Sequence, residues 1–129
     1  MKLTRLDLTG CSALASLDDL KGMPLTRLGL RSCSALQGDL IALAGMKLDE
    51  LWLDNCTSLE SLNGVQGMPL TRVSLENCRS LKGDLAVLKG MPIDYLNLQG
   101  CAALSSLSGI EGLKLKAESV ERHFRVSTV

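Results

Sequence analysis

The chain has 129 residues, enough for one continuous core and too few for several domains. Its 14 basic residues balance 14 acidic ones, which argues against the basic face that sequence-independent nucleic-acid binding needs. Apolar residues make up 46% and aromatic residues 2%, so the chain is not disordered, and its core must be built from leucine and other aliphatic side chains.

The first predicted element lies in "LTRLDLTGCSAL", residues 3–14. Leu6 and Leu8 are two apart, the period of a strand, so they share one face while Arg5, Asp7 and Thr9 share the other. The same segment opens with Arg5 and Asp7 where a signal peptide would need its apolar stretch. No apolar run approaches the length that crosses a bilayer, so no membrane partner is expected.

The pattern then returns. Leu25, Leu48, Leu70 and Ile93 begin further units, and Cys11, Cys33, Cys56, Cys78 and Cys101 recur at steps of 22, 23, 22 and 23 residues. Each unit reads L-x-x-L-x-L-x-x-C-x-x-L, with Val73 in one leucine slot and Ile93 in another. The return segments come in two kinds. Units one, three and five carry "ASLDDL", "ESLNGV" and "SSLSGI"; units two and four carry "QGDLIAL" and "KGDLAVL", one residue longer. The true period is therefore a pair of units, 45 residues. The extra residue falls between two apolar positions and should bulge in the connection. Aspartate in "GDL" suits that turn better than a phosphate or metal site.

Each return segment is too short for more than about one turn of helix, so turns or 3₁₀ pieces are expected. Gly22, Gly45, Gly67, Gly90 and Gly112 precede each new start, where a left-handed backbone is expected. Pro24, Pro69 and Pro92 then favour an extended approach to the strand.

These motifs resemble the leucine-rich repeat family, whose pattern is L-x-x-L-x-L-x-x-N/C-x-L, over nearly the whole chain. The fold class expected is an α/β-type repeat solenoid forming one domain over 1–129, with units starting at 3, 25, 48, 70 and 93. A parallel sheet should line the concave side of an arc, and short turns or 3₁₀ segments the convex side. Residues 115–126, "LKAESVERHFRV", fit either a degenerate capping unit or a short helix with Ala117, Val120 and Phe124 on one face. At the other end the chain begins within the pattern. An uncovered first strand could associate with a second copy.

Five cysteines invite a metal or redox reading, but stacked equivalent side chains point the same way, and no C-x-x-C pair occurs. A ladder of unpaired, buried thiols is expected, which favours a reducing, intracellular and cytoplasmic setting. His123 is the single histidine and has no partnered nucleophile in view. No nucleotide-binding or zinc-protease motif is present, so neither an enzyme nor a cofactor is expected.

The outward strand positions vary where the inward ones do not. One column is Arg5, Arg27, Glu50, Arg72 and Tyr95; a second is Asp7, Gly29, Trp52, Ser74 and Asn97; a third is Thr9, Arg31, Asp54, Glu76 and Gln99. Trp52 stands between Gly29 and Ser74, which should leave its ring accessible, with Tyr95 two strands off, about 10 Å. Exposed Trp, Tyr and Arg often dominate protein interfaces. The candidate protein-binding residues are Trp52, Tyr95, Arg27, Arg31, Glu50, Asp54, Arg72 and Glu76. The family resemblance implies a non-enzymatic protein- or peptide-binding module. The alternatives are a spacer segment of a longer repeat protein, or the recognition part of an effector whose catalytic domain lies elsewhere.

Overall fold

The computed structural model describes residues 2–115. Five short parallel strands follow one another in chain order: β1 (Arg5–Asp7), β2 (Arg27–Gly29), β3 (Glu50–Trp52), β4 (Arg72–Ser74) and β5 (Tyr95–Asn97). The register joins Leu6, Leu28, Leu51, Val73 and Leu96 into one inward row, so the step alternates between 22 and 23 residues as the cysteines do. The molecule is thus a parallel β-solenoid. Each three-residue strand is too short to bury an apolar face alone, and stacking supplies what one unit lacks.

The core is one cluster. Leu28, Leu51, Val73 and Leu96, with Leu30, Leu53, Leu75 and Leu98, are all sealed from solvent. Leu36, Leu59, Leu81 and Leu104 face them from the far wall. Unit one is looser: Leu6, Leu8, Leu14 and Cys11 are only partly buried, because nothing among the described residues packs on their outer side.

Cysteine occupies its slot for a specific reason. Each buried thiol donates across the stack to the carbonyl just past the strand of the preceding unit: Cys33 to Leu8 O at 3.3 Å, Cys56 to Leu30 O at 3.0 Å, Cys78 to Leu53 O at 3.1 Å and Cys101 to Leu75 O at 3.0 Å. A small side chain with one weak donor fits this position and gives the carbonyl a second bond beside the one it accepts from the cysteine amide of its own unit. All five thiols are unpaired. Burial pushes the thiols of Cys56 and Cys101 up to about 11, and that of Cys78 higher still.

The turn after each strand needs a left-handed residue. Gly10, Ser32, Asn55, Asn77 and Gly100 fill that position, with φ between 60° and 84°. Asparagine tolerates this region better than most side chains.

The return side follows two patterns. Units one, two and four make a single 3₁₀ turn, at Asp18–Leu20, Ile41–Leu43 and Ala86–Leu88. In the two longer units Asp39 and Asp84 accept the amides of Ile41 and Ala86 through their side chains, at 3.1 and 3.0 Å, as the "GDL" turn requires. Units three and five have no such turn. Instead Gly64 and Gly109, at φ 122° and 112°, pass tightly over the preceding unit. A Cβ on Gly64 would lie 2.1 Å from Leu40 O, and one on Gly109 would lie 2.3 Å from Leu85 O. Asp19 occupies the equivalent position in unit one.

The left-handed glycines expected before the strands occur at Gly22, Gly45, Gly67 and Gly90. Gly112 does not adopt that conformation, and the strand position that would follow it lies outside the described residues. The capping unit or helix expected over 115–126 lies, beyond Leu115, outside the described residues. No helix among the described residues is long and apolar enough to cross a membrane.

Candidate functional site

Alternation along each strand sends one set of residues outward, and the parallel register aligns them. Arg5, Arg27, Glu50, Arg72 and Tyr95 form one row across the sheet, and Asp7, Gly29, Trp52, Ser74 and Asn97 the next. The third row, Thr9 to Gln99, continues the same spacing just beyond the strands, where backbone bonds such as Ser32 N to Asp54 O and Asn55 N to Glu76 O keep the units aligned.

Trp52 is the centre of this face. It is half-buried rather than openly exposed, because the strand that should separate it from Tyr95 carries a small residue. Its ring leans across β4 over Ser74, and its centroid lies 6.0 Å from that of Tyr95, at an interplanar angle of 40°. The separation of about 10 Å set by two strand spacings is therefore closed by the side chains themselves. Tilted aromatic pairs at this distance attract through their quadrupoles. The Arg31 guanidinium carbon sits 4.6 Å from the centroid of the Trp52 ring, in cation–π range.

Polar contacts fix the frame. The indole Nε1 of Trp52 donates to Glu50 Oε1 at 3.2 Å, and Glu50 also faces the Arg27 Nε at 3.4 Å. Arg31 Nε lies 3.4 Å from Asp54 Oδ1, while Asp54 Oδ2 accepts the Ser74 hydroxyl at 2.8 Å. Oδ1 of Asp54 is buried without a hydrogen bond, so its charge is met by the neighbouring guanidinium alone. Glu76 accepts the Asn97 side-chain amide at 2.9 Å. Ser74 and Asn97, the two buried polar residues among the described residues, are thus both bonded to carboxylates on this face. Desolvation makes each such bond more than ordinarily costly to break.

Of the eight residues singled out from sequence, six form one connected group: Arg27, Glu50, Trp52, Arg31, Asp54 and Tyr95. Arg72 stands in the same row between Glu50 and Tyr95, is exposed, and has no ion-pair partner among the described residues. Glu76 joins through Asn97. Sequence reading passed over Ser74 and Asn97 as site residues. Their signal was small or amide side chains in the row that holds the tryptophan.

No group of His, Cys, Asp and Glu among the described residues could hold a metal ion. What the face offers chemically is a flat aromatic surface with fixed guanidinium and carboxylate groups. No family model matches the chain, and no curated protein or solved structure matches it.

Proposed function

We propose that the chain is a non-enzymatic protein- or peptide-binding module of the leucine-rich repeat type, with the strand side as the inner, binding side of an arc. The observation that supports this most is the aromatic pair Trp52–Tyr95, held half-open on a sheet face and framed by Arg31, Glu50 and Asp54. In a chain with 2% aromatic residues, two of the three aromatic side chains meet at one outward spot. Packing does not need them there, since the sealed core lies on the opposite side of the strands. Rigid aromatic groups ringed by polar contacts are what interface hot spots are made of.

The test is a selection of random peptides displayed on phage against the immobilised protein, repeated on Trp52→Ala. Clones should enrich on the wild type, and their purified peptides should lose roughly tenfold or more in affinity on the variant. Enriched peptides that bind both proteins equally would reject the strand face as the binding surface.

A further inference from the structure

The first and fifth units differ in how well their inward positions are covered. In unit five Ile93, Leu96, Leu98 and Cys101 are sealed from solvent. In unit one Leu6, Leu8, Cys11 and Leu14 are half-buried, and Leu3 is 48% exposed. An open apolar flank thus lies beneath β1, which is also an edge strand of the sheet.

The backbone groups on that edge follow from the register. Arg27 N donates to Thr4 O, and Gly29 O accepts from Leu8 N, so Arg27 and Gly29 turn their backbone groups toward β1. Arg5 and Asp7 hold the matching places on β1, so their amides and carbonyls face away from the sheet. The same two residues carry the charges of this edge. Arg5 is exposed and has no ion-pair partner among the described residues. Asp7 is exposed as well and accepts from the amide and the hydroxyl of Thr9; those bonds, with Arg31, hold its carboxyl below the usual carboxylate range.

An antiparallel strand satisfies such an edge when edge-facing residues stand opposite one another and exchange both backbone bonds. Against its own copy, β1 can set Arg5 opposite Arg5, Asp7 opposite Asp7, or Arg5 opposite Asp7. The first two place like charges side by side, which destabilises a pair. The third makes an opposite-charge pair twice over and brings Leu6 against Leu6 on the inward face. It is two-fold symmetric, so it closes with two copies. Other occupants fit less well. Units three and five receive the long unit before them at Gly64 and Gly109, where a Cβ would strike the backbone of Leu40 and Leu85. Unit one has Asp19 at that place, so a long unit does not stack on it in the same way. Head-to-tail stacking of copies needs a second open end, and the inward row of unit five is sealed.

We propose that β1 is a self-association edge: two copies pair antiparallel along it, with Arg5 of each opposite Asp7 of the other, and join their sheets into one. The end face runs about 26 Å from Leu3 to Cys11 and about 10 Å in depth, a small contact, so the dimer is weak and reversible.

Sedimentation velocity tests this without reference to any peptide ligand. The wild type should pass from monomer to dimer between about 10 µM and 1 mM. Arg5→Glu and Asp7→Arg each set like charges at both pair positions, and each alone should weaken association tenfold or more at low salt. An equimolar mixture of the two variants restores both pairs and should associate within threefold of wild type. Circular dichroism checks the fold, and Arg5→Glu alone carries the test if Asp7→Arg misfolds. A wild type that stays monomeric at 1 mM would overturn the proposal. So would an Arg5→Glu variant that associates like wild type. Folded variants whose mixture associates no better than either alone would overturn the antiparallel register.

Discussion

The junctions between units are of two kinds, and they differ on one side only. On the strand side every junction is the same: Leu8 N bonds Gly29 O, Leu30 N bonds Trp52 O, Leu53 N bonds Ser74 O and Leu75 N bonds Asn97 O, all at 2.7–2.8 Å. On the return side they part company. From unit two to three, Gly38 bridges Leu59, its carbonyl accepts the amides of Glu60 and Ser61, and Leu40 N reaches Asn63 O at 2.8 Å. From unit four to five most of the set recurs: Gly83 bridges Leu104, its carbonyl accepts the amide of Ser105, and Leu85 N reaches Ser108 O at 2.9 Å. From unit three to four the return side has one backbone bond, Lys82 N to Glu60 O, and an exposed ion pair between the same residues. Units one and two share no return-side backbone bond among the described residues.

The single extra residue in "QGDL" and "KGDL" therefore does more than bulge. It carries a carbonyl and an amide to where the next unit can bond them, and the next unit answers with a glycine thin enough to approach. Stitched pairs result, and the 45-residue period is their sequence trace.

Leu51→Ala sets the scale, because Leu51 is sealed within the row that both kinds of junction share. It should cost about 2–5 kcal/mol in a denaturant titration. Leu3→Ala, at a position 48% exposed, should change the midpoint by less than about 0.5 kcal/mol. Equal losses would contradict the stacked core.

Gly90→Ala isolates backbone strain from close approach. Gly90 has φ 79° and open space around its missing Cβ. Its cost should be about 1–2 kcal/mol, the price of the left-handed backbone alone. A larger loss would mean that the loops before the strands are as tightly packed as the stitched returns.

The thiols sharpen the comparison on the strand side. Buried Cys56 and Cys101 titrate at about 11 against an ordinary 9.0. The unfolded chain therefore gives up its thiol protons first as pH rises. Stability should be level with respect to these groups below pH 9.0 and fall progressively through about 11. Urea midpoints measured across that window should decline, and serine in place of Cys56, Cys78 and Cys101 together should remove much of the decline. In native protein Cys11, the one half-buried thiol, should react first with a maleimide.

Lys82→Ala probes the weaker junction and should have the smallest effect, below about 0.5 kcal/mol, since both partners of the Lys82–Glu60 pair are well exposed. A melt that moves by several degrees would show that side chains, not backbone stitches, join units three and four.

Much of this was legible in the sequence. The inward rows follow from leucines two apart, and the cysteine spacing alone gives the strand register. The alternation of unit length was visible too, but its consequence was not. That Gly64 must be glycine depends on where Leu40, 24 positions earlier, places its carbonyl, which no local pattern encodes. The site was legible as a set of outward residues, and the contact between Trp52 and Tyr95 was not. It arises from a side chain leaning over Ser74, a choice of rotamer rather than of register.

The central claim is that backbone contacts on the return side hold the pairs together, while the outward strand face is left for other use. Thermal melts of Gly64→Ala and Trp52→Ala, side by side, test it most directly. The first adds one methyl group against the backbone of Leu40 and Ile41. It should cost about 3 kcal/mol or more, since backbone must move. The second deletes the largest side chain in the protein and should cost about 1–2 kcal/mol, the worth of a half-buried aromatic contact. The melting temperature should fall at least twice as far for Gly64→Ala; a fall for Trp52→Ala that equals or exceeds it would make the strand face part of the scaffold and contradict the claim.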